Sequence, residues 1–158
     1  MPQYGAGAYG SGIYGDSPLD EIVVAMMAAI REGLRKNLSS ISGTQVSAYM
    51  LAAPTPPAIH IVPPAIEYHQ AMQNGFDELT FTVQAFVALG TDIGAQKRLD
   101  EMREPSGVGS IKAALEADRT LGGVIKDLIV RASPEPQVLT LEGGRQLLSC
   151  DFEVTVWD

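Results

Sequence analysis

The alternation of apolar and polar residues changes period several times along this chain, and each change marks an element. In SPLDEIVVAMMAAIREGLRKNL, residues 17–38, apolar side chains recur at Leu19, Ile22, Val23, Met26, Met27, Ile30 and Leu34. Steps of three and four put them on one side of an α-helix. Ser17 can cap that helix and Pro18 suits its first position. Asp20 and Glu21 stand where the helix dipole favours anions, and Arg31, Arg35 and Lys36 fall in the last turns. The spacing predicts a long N-terminal helix with one face against a sheet.

The period then shortens to two. QVSAYML (45–51) alternates through Val46, Ala48 and Met50, and a proline loop, APTPP (53–57), follows. AIHIV (58–62) reads as a strand ending at Pro63-Pro64. AIEYHQAM (65–72) leads to Asn74-Gly75, a hairpin signal. DELTFTVQAFVALG (77–90) is the longest alternation. Leu79, Phe81, Val83, Ala85, Val87 and Leu89 share one face, and Thr80, Thr82 and Gln84 the other.

TDIGAQKRLDEMRE (91–104) reads as a helix capped by Thr91. PSGVGSIKAALEAD (105–118) breaks and restarts, with Ser106 or Ser110 as cap. GGVIKDLIVRAS (122–133) alternates again. PQVLTLEGGRQLLSCDFEVTVW (136–157) is two strands around Gly143-Gly144. In the last strand Leu148, Cys150, Phe152, Val154 and Val156 face one way, and Ser149, Asp151, Glu153 and Thr155 the other. This order predicts an α+β fold: an antiparallel or mixed β-sheet with the long N-terminal helix and two short helices packed on one face.

Residues 1–16 follow neither period. YGAGAYGSGIYG (4–15) repeats a Tyr-Gly pair every five residues, at Tyr4-Gly5, Tyr9-Gly10 and Tyr14-Gly15. Such a stretch cannot bury enough surface to offset its own ordering entropy. It reads as a flexible arm ahead of a single domain over 17–158. Tyrosine offers a large contact area with few torsions to freeze, and glycine lets the backbone approach closely. Tyr4, Tyr9 and Tyr14 are therefore the candidate partner-binding residues, set against the plain alternative of an untethered tail.

Composition narrows the function classes. The chain has 158 residues, 46% of them hydrophobic, enough for one core. Only 6% are aromatic, so that core is mostly aliphatic. The net charge of -8 argues against a protein that grips nucleic acid by neutralising phosphates. A single cysteine, Cys150, leaves no internal disulfide to form. No apolar run is long enough to span a membrane, and the N-terminus lacks the pattern of a signal peptide. Synthesis in a cytoplasm is the default expectation.

Few residues carry chemistry. His60 and His69 flank Pro63-Pro64 and could approach each other as a metal pair; the plainer reading is two half-buried strand residues. Zinc needs more ligands than that. Cys150 stands on the apolar side of its strand and reads as a small buried hydrophobe. GAGAYG has no Lys-Ser or Lys-Thr after it and no strand before it, so it is no phosphate loop. SGVGS (106–110) opens a helix and could bind an anion there; the plainer reading is loop and cap. The Met26-Met27 pair reads as core packing. Carboxylates are many, but no pair is singled out by spacing, and they read as a solvated face. No catalytic residue, cofactor or metal is predicted.

The second half resembles a family. RLDEMREPSGVGSIKAALEADRTLGGVIKDLIVRA followed by GGRQLLSCDFEVTVW is similar to the tail terminator, or tail completion, proteins of long-tailed (siphovirus) bacteriophages of actinobacteria. The matching pieces are Leu99-Asp100, Ser106-Gly107, Ala117 to Gly123 and Cys150 to Val156. The N-terminal helix and ELTFTVQAFVAL also fit, so the resemblance covers about residues 17–158. The glycine-tyrosine arm is not part of the pattern.

The resemblance implies an α+β virion structural protein rather than an enzyme. It implies a six-membered ring of this chain on the head-proximal end of the tail tube. Such a ring stops tube polymerisation and joins the tail to the head–tail connector or stopper protein, and genome DNA passes through its bore without specific binding. The implied location is the virion neck, assembled in the host cytoplasm, with no membrane partner. The negative charge fits, since an acidic bore would not retain DNA. The arm would then reach a neighbouring subunit or ring. Three other readings stay open: a head-side connector or stopper, a tail tube subunit, and, from another class, a small-molecule binding protein seeded by His60 and His69. LAAPTPPA (51–58) is short for the long loop through which tube subunits stack.

Overall fold

A computed structural model describes residues 18–65, 78–90 and 93–157, with side chains placed from Val24 onward. Among these residues there are three α-helices: α1 (Pro18–Leu38), α2 (Ile93–Arg103) and α3 (Ile111–Glu116). Six strands complete the set: β1 (Gln45–Ser47), β2 (Ala58–Ala65), β3 (Glu78–Ala88), β4 (Asp127–Ala132), β5 (Gln137–Thr140) and β6 (Gln146–Trp157). The fold is α+β.

The strands form one six-stranded sheet in the order β1-β2-β3-β6-β4, with β5 also on β6. The sheet is mixed rather than purely antiparallel, because β1 pairs with β2 in parallel, Val46 opposite Ile59. Ten residues of proline-rich loop, 48–57, carry the chain back to the start of β2 and make that parallel return possible. All other pairs are antiparallel. β3 and β6 face each other from Glu78↔Trp157 to Ala88↔Leu147, and this pair is the spine of the sheet. β4 and β5 lie in succession along the far edge of β6.

The alternation in β3 and β6 does what the sequence requires. Leu79, Phe81, Val83, Ala85 and Val87, with Cys150, Phe152, Val154 and Val156, enter one core cluster. Ile30, Leu34 and Leu38 of α1, Leu99 and Met102 of α2, and Ile111 and Leu115 of α3 enter the same cluster. All three helices therefore cover one face. Met26 and Met27 pack against this cluster as partly buried residues. The portion of α1 with described packing is 24–38, shorter than the long helix expected; the apolar side chains of Leu19, Ile22 and Val23 lie outside the described ones.

Three boundaries differ from the sequence pattern, each for a local reason. β1 stops at Ser47, whose hydroxyl donates to the Tyr49 carbonyl (2.7 Å) and accepts from its N–H (3.2 Å), closing a turn. β2 continues through Pro63-Pro64 to Ala65, with a register shift between Val62 and Ala65. β1 covers only Ala58 to His60 of that edge, so the prolines displace no ladder bond. β4 starts only at Asp127, because residues 118–123 form a turn. The Asp118 carboxylate accepts from Thr120 N–H and Gly122 N–H (3.2 and 2.9 Å) and from the Thr120 hydroxyl. These bonds, Thr120's first, hold the Asp118 carboxyl below its usual range. Leu121 takes a positive φ of 51° there, with Gly122 and Gly123 also left-handed.

That turn packs on α1. A Cβ at Gly33 would come 2.8 Å from the Leu121 Cβ, so only glycine allows this approach. Asn37 donates from its amide to the Leu115 and Asp118 carbonyls (3.0 and 3.1 Å) and ties the same two segments. α3 is capped by Ser110, which accepts from Ala113 N–H (3.1 Å); of the two candidate caps it is the one used. β2 and β3 pair antiparallel as a hairpin requires, while the Asn74-Gly75 turn and Thr91 lie outside the described residues.

Candidate functional site: the helix-free face of the sheet

The second face of the sheet has no helix on it among the described residues, and its polar side chains are ordered by strand register. His60, Gln84 and Asp151 are aligned across β2, β3 and β6. His60 is buried, 2% exposed. Its Nδ1 accepts the Leu51 N–H (3.0 Å), so the ring proton sits on Nε2 and donates to Gln84 Oε1 (2.8 Å). Gln84 Nε2 then donates to Asp151 Oδ1 (3.1 Å). The Phe86 ring meets the imidazole edge-on at 4.9 Å. The relay anchors the loop 48–57 over one end of the face. There Ala58, Phe86 and Leu147 form a second small core, with Leu139 and Leu141 packed against it.

A second row crosses the face nearer its other end. Arg131 Nε donates to Thr155 Oγ1 (2.9 Å), and Thr155 Oγ1 lies 3.5 Å from Thr80 Oγ1. The Arg131 guanidinium also lies over the Trp157 ring, 5.5 Å from its centroid. Trp157 Nε1 donates to Glu78 Oε2 (3.0 Å). Between the rows stand Thr82 and Glu153, opposite each other. The central strands thus carry Glu78, Asp151 and Glu153, and Arg131 is the cation bonded among them. The surface offers hydroxyl and amide groups with an excess of negative charge.

The histidine pair is not assembled: His60 has both ring nitrogens engaged within the fold, and His69 lies outside the described residues. No group of three or more His, Cys, Asp or Glu that could hold a metal occurs among the described residues. Cys150 is buried on the helix side, and burial pushes its thiol up to about 12. The thiol is therefore kept neutral and unreactive. SGVGS ends in the Ser110 cap, with the Ser110 hydroxyl also bonded to the Glu104 carbonyl. Tyr4, Tyr9 and Tyr14 lie outside the described residues.

A cleft of about 350 Å³ is lined by Pro56, Pro57, Val87, Ala88, Gly94, Ala95 and Arg98. Its one charged side chain, Arg98, already holds the Ser42 carbonyl and the Thr44 hydroxyl (2.7 Å to the latter). That is a latch between α2 and the segment leading to β1, not a set of convergent groups for a small molecule. No described helix is long and apolar enough to cross a membrane.

Sequence reasoning found the polar residues of β3 and β6 but not what they do together. The relay needed the strand register, which pairs residues 24 and 67 positions apart. The one signal that pointed to it was a polar His inside the apolar run AIHIV.

No family model matches the chain, and no curated protein matches it.

Proposed function

We propose that this chain is a virion structural protein of a long-tailed phage, a tail terminator that forms a homo-hexameric ring on the head-proximal end of the tail tube. The ring stops tube polymerisation and joins the tail to the head–tail connector or stopper. Genome DNA passes through the bore without specific binding.

The observation that carries this reading is the charge of the helix-free face. Glu78, Asp151 and Glu153 stand among Thr80, Thr82 and Gln84, and Arg131 is bonded to Thr155 beside them. If this face lines the bore, its excess of carboxylates disfavours lasting contact with DNA phosphates. The sequence resemblance over about residues 17–158 is the second support; where its pieces lie in the fold is a separate matter. Leu99 is a buried anchor of α2 and residues 117–123 hold the Gly33 contact. Residues 150–156 form the centre of β6, the strand on which β3, β4 and β5 pair.

The test is electron microscopy of particles from a phage lacking this gene. Headless tails of excess and irregular length are the expected result. Tails of normal length beside emptied heads would place the protein on the head side of the joint and overturn the terminator reading.

A further inference from the structure

The two halves of one sheet edge are finished differently. Along β4 the outward backbone groups are occupied by side chains. Val130 N–H donates to the Glu116 carboxylate (2.9 Å), Leu128 N–H to Asp127 (2.9 Å), and the Leu128 carbonyl accepts from Arg119 (3.2 Å). Lys112–Glu116 and Arg119–Asp127 ion pairs at 2.7 and 2.8 Å hold those carboxylates in place. Another strand cannot pair there without displacing them.

β5 continues the same edge without any such cover. Leu141 N–H donates inward to the Arg145 carbonyl (2.7 Å), which sets the alternation. Gln137 and Leu139 turn their backbone groups to β6, and Val138 and Thr140 turn theirs outward. Those outward N–H and C=O groups meet no partner among the described residues. The Val138 side chain is 56% exposed beside them.

We propose that β5 is a strand-addition site, and that its occupant is the N-terminal arm of a second copy of this chain. Residues 1–15 carry no charged side chain, so they bring no charge to be desolvated against Val138. In an extended arm Tyr9, Ser11 and Ile13 share one side, while Gly10 and Gly12 fall on the other. Ile13 can then lie beside Val138 as an apolar cross-strand pair, and the glycines let the backbones close to hydrogen-bond distance. Sixteen residues span up to about 50 Å when extended, which gives the arm the reach to leave its own domain. The proposal concerns pairing between copies and stands whether or not the assembly is a phage neck.

The test uses the full chain with Ala8, Ser11 and Ile13 replaced by Pro, so that its own arm cannot pair. A synthetic peptide of residues 1–16 is added, and hydrogen exchange is read amide by amide. Exchange at Val138 and Thr140 should slow about tenfold or more as the peptide saturates, with Leu128 and Val130 unchanged. Val138→Lys in the same chain should abolish the effect while the β6 amides stay protected. Val138 and Thr140 amides that exchange freely at saturating peptide overturn the proposal. So does protection that appears only elsewhere, for example around Tyr49 and Met50. Slowing by the unmodified full chain at high concentration, but not by the peptide, assigns the edge to another strand of the second copy and also overturns it.

Discussion

The two faces of the sheet are built from the same strands and held by different physics. The helix-covered face is apolar and dry: Phe81, Phe152 and Leu128 are essentially without solvent contact. The helix-free face is held by side chains that satisfy one another across strands, His60 through Gln84 to Asp151 and Arg131 through Thr155. The first face gains stability from area removed from water, which is insensitive to direction. The second depends on hydrogen bonds, which are worth little net but costly when one partner is removed. Sensitivity to mutation should therefore be graded on one face and all-or-none on the other.

The largest effect should come from Phe81→Ala, which opens a cavity under α1 and removes a ring that the Arg31 guanidinium approaches at 6.0 Å. The expected loss is about 3–5 kcal/mol in urea unfolding. A loss under about 1 kcal/mol would mean that α1 does not seal this core. His60→Ala comes next on the other face. It leaves the part-buried Leu51 N–H and Gln84 carbonyl without their partner, for a loss of about 1–3 kcal/mol. Exchange at the Leu51 amide should accelerate in the same variant. An unchanged Leu51 amide would show that the loop 48–57 is held by something other than the relay.

Gly33→Ala separates local preference from packing on the covered face. Alanine is the better helix former, yet its Cβ would collide with Leu121. A net loss of about 1–3 kcal/mol is expected from overpacking, and a gain in stability would refute the close approach. The smallest expected effect lies at the β4 edge. Burial works against the Glu116 charge, but hydrogen bonds from Lys112 and the Val130 N–H, with the nearby Arg119 charge, outweigh it and hold the carboxyl below its usual range. A depressed carboxyl stabilises the fold above its unfolded pKa, and that contribution is lost as pH falls through the folded value. Glu116→Gln should therefore cost up to about 1 kcal/mol at neutral pH. The difference from the parent should vanish in acid, as read from unfolding midpoints across pH. A difference that grew in acid would reverse the sign and the assignment.

Much of the fold was legible from period alone. The alternation in β3 and β6 placed Leu79, Phe81, Val83, Ala85 and Val87, with Cys150, Phe152, Val154 and Val156, on the main core side, because period two puts those residues on one side of a strand; the second small core at Phe86 and Leu147 was not visible in it. The stops were less legible. β4 begins late because Asp118 winds the preceding residues into a left-handed turn, and that turn depends on a carboxylate accepting from N–H groups two and four residues on. The parallel return of β1 was also hidden, since a three-residue strand carries too little pattern to announce its direction.

Local spacing was enough to say which side chains of β3 and β6 face the main core, that a helix starts after the SGVGS loop, and that the net charge is negative. These follow from local spacing and local hydrogen bonding, which act over a few residues. It took the folded chain to bring His60, Gln84 and Asp151 into one relay, to set α1 against the Leu121 turn through Gly33, to choose Ser110 as the cap of α3, and to cover the β4 edge while the outward groups of β5 meet no partner among the described residues. Apart from the cap, those features join residues far apart in the chain, and the strand register that joins them is fixed by the whole sheet at once.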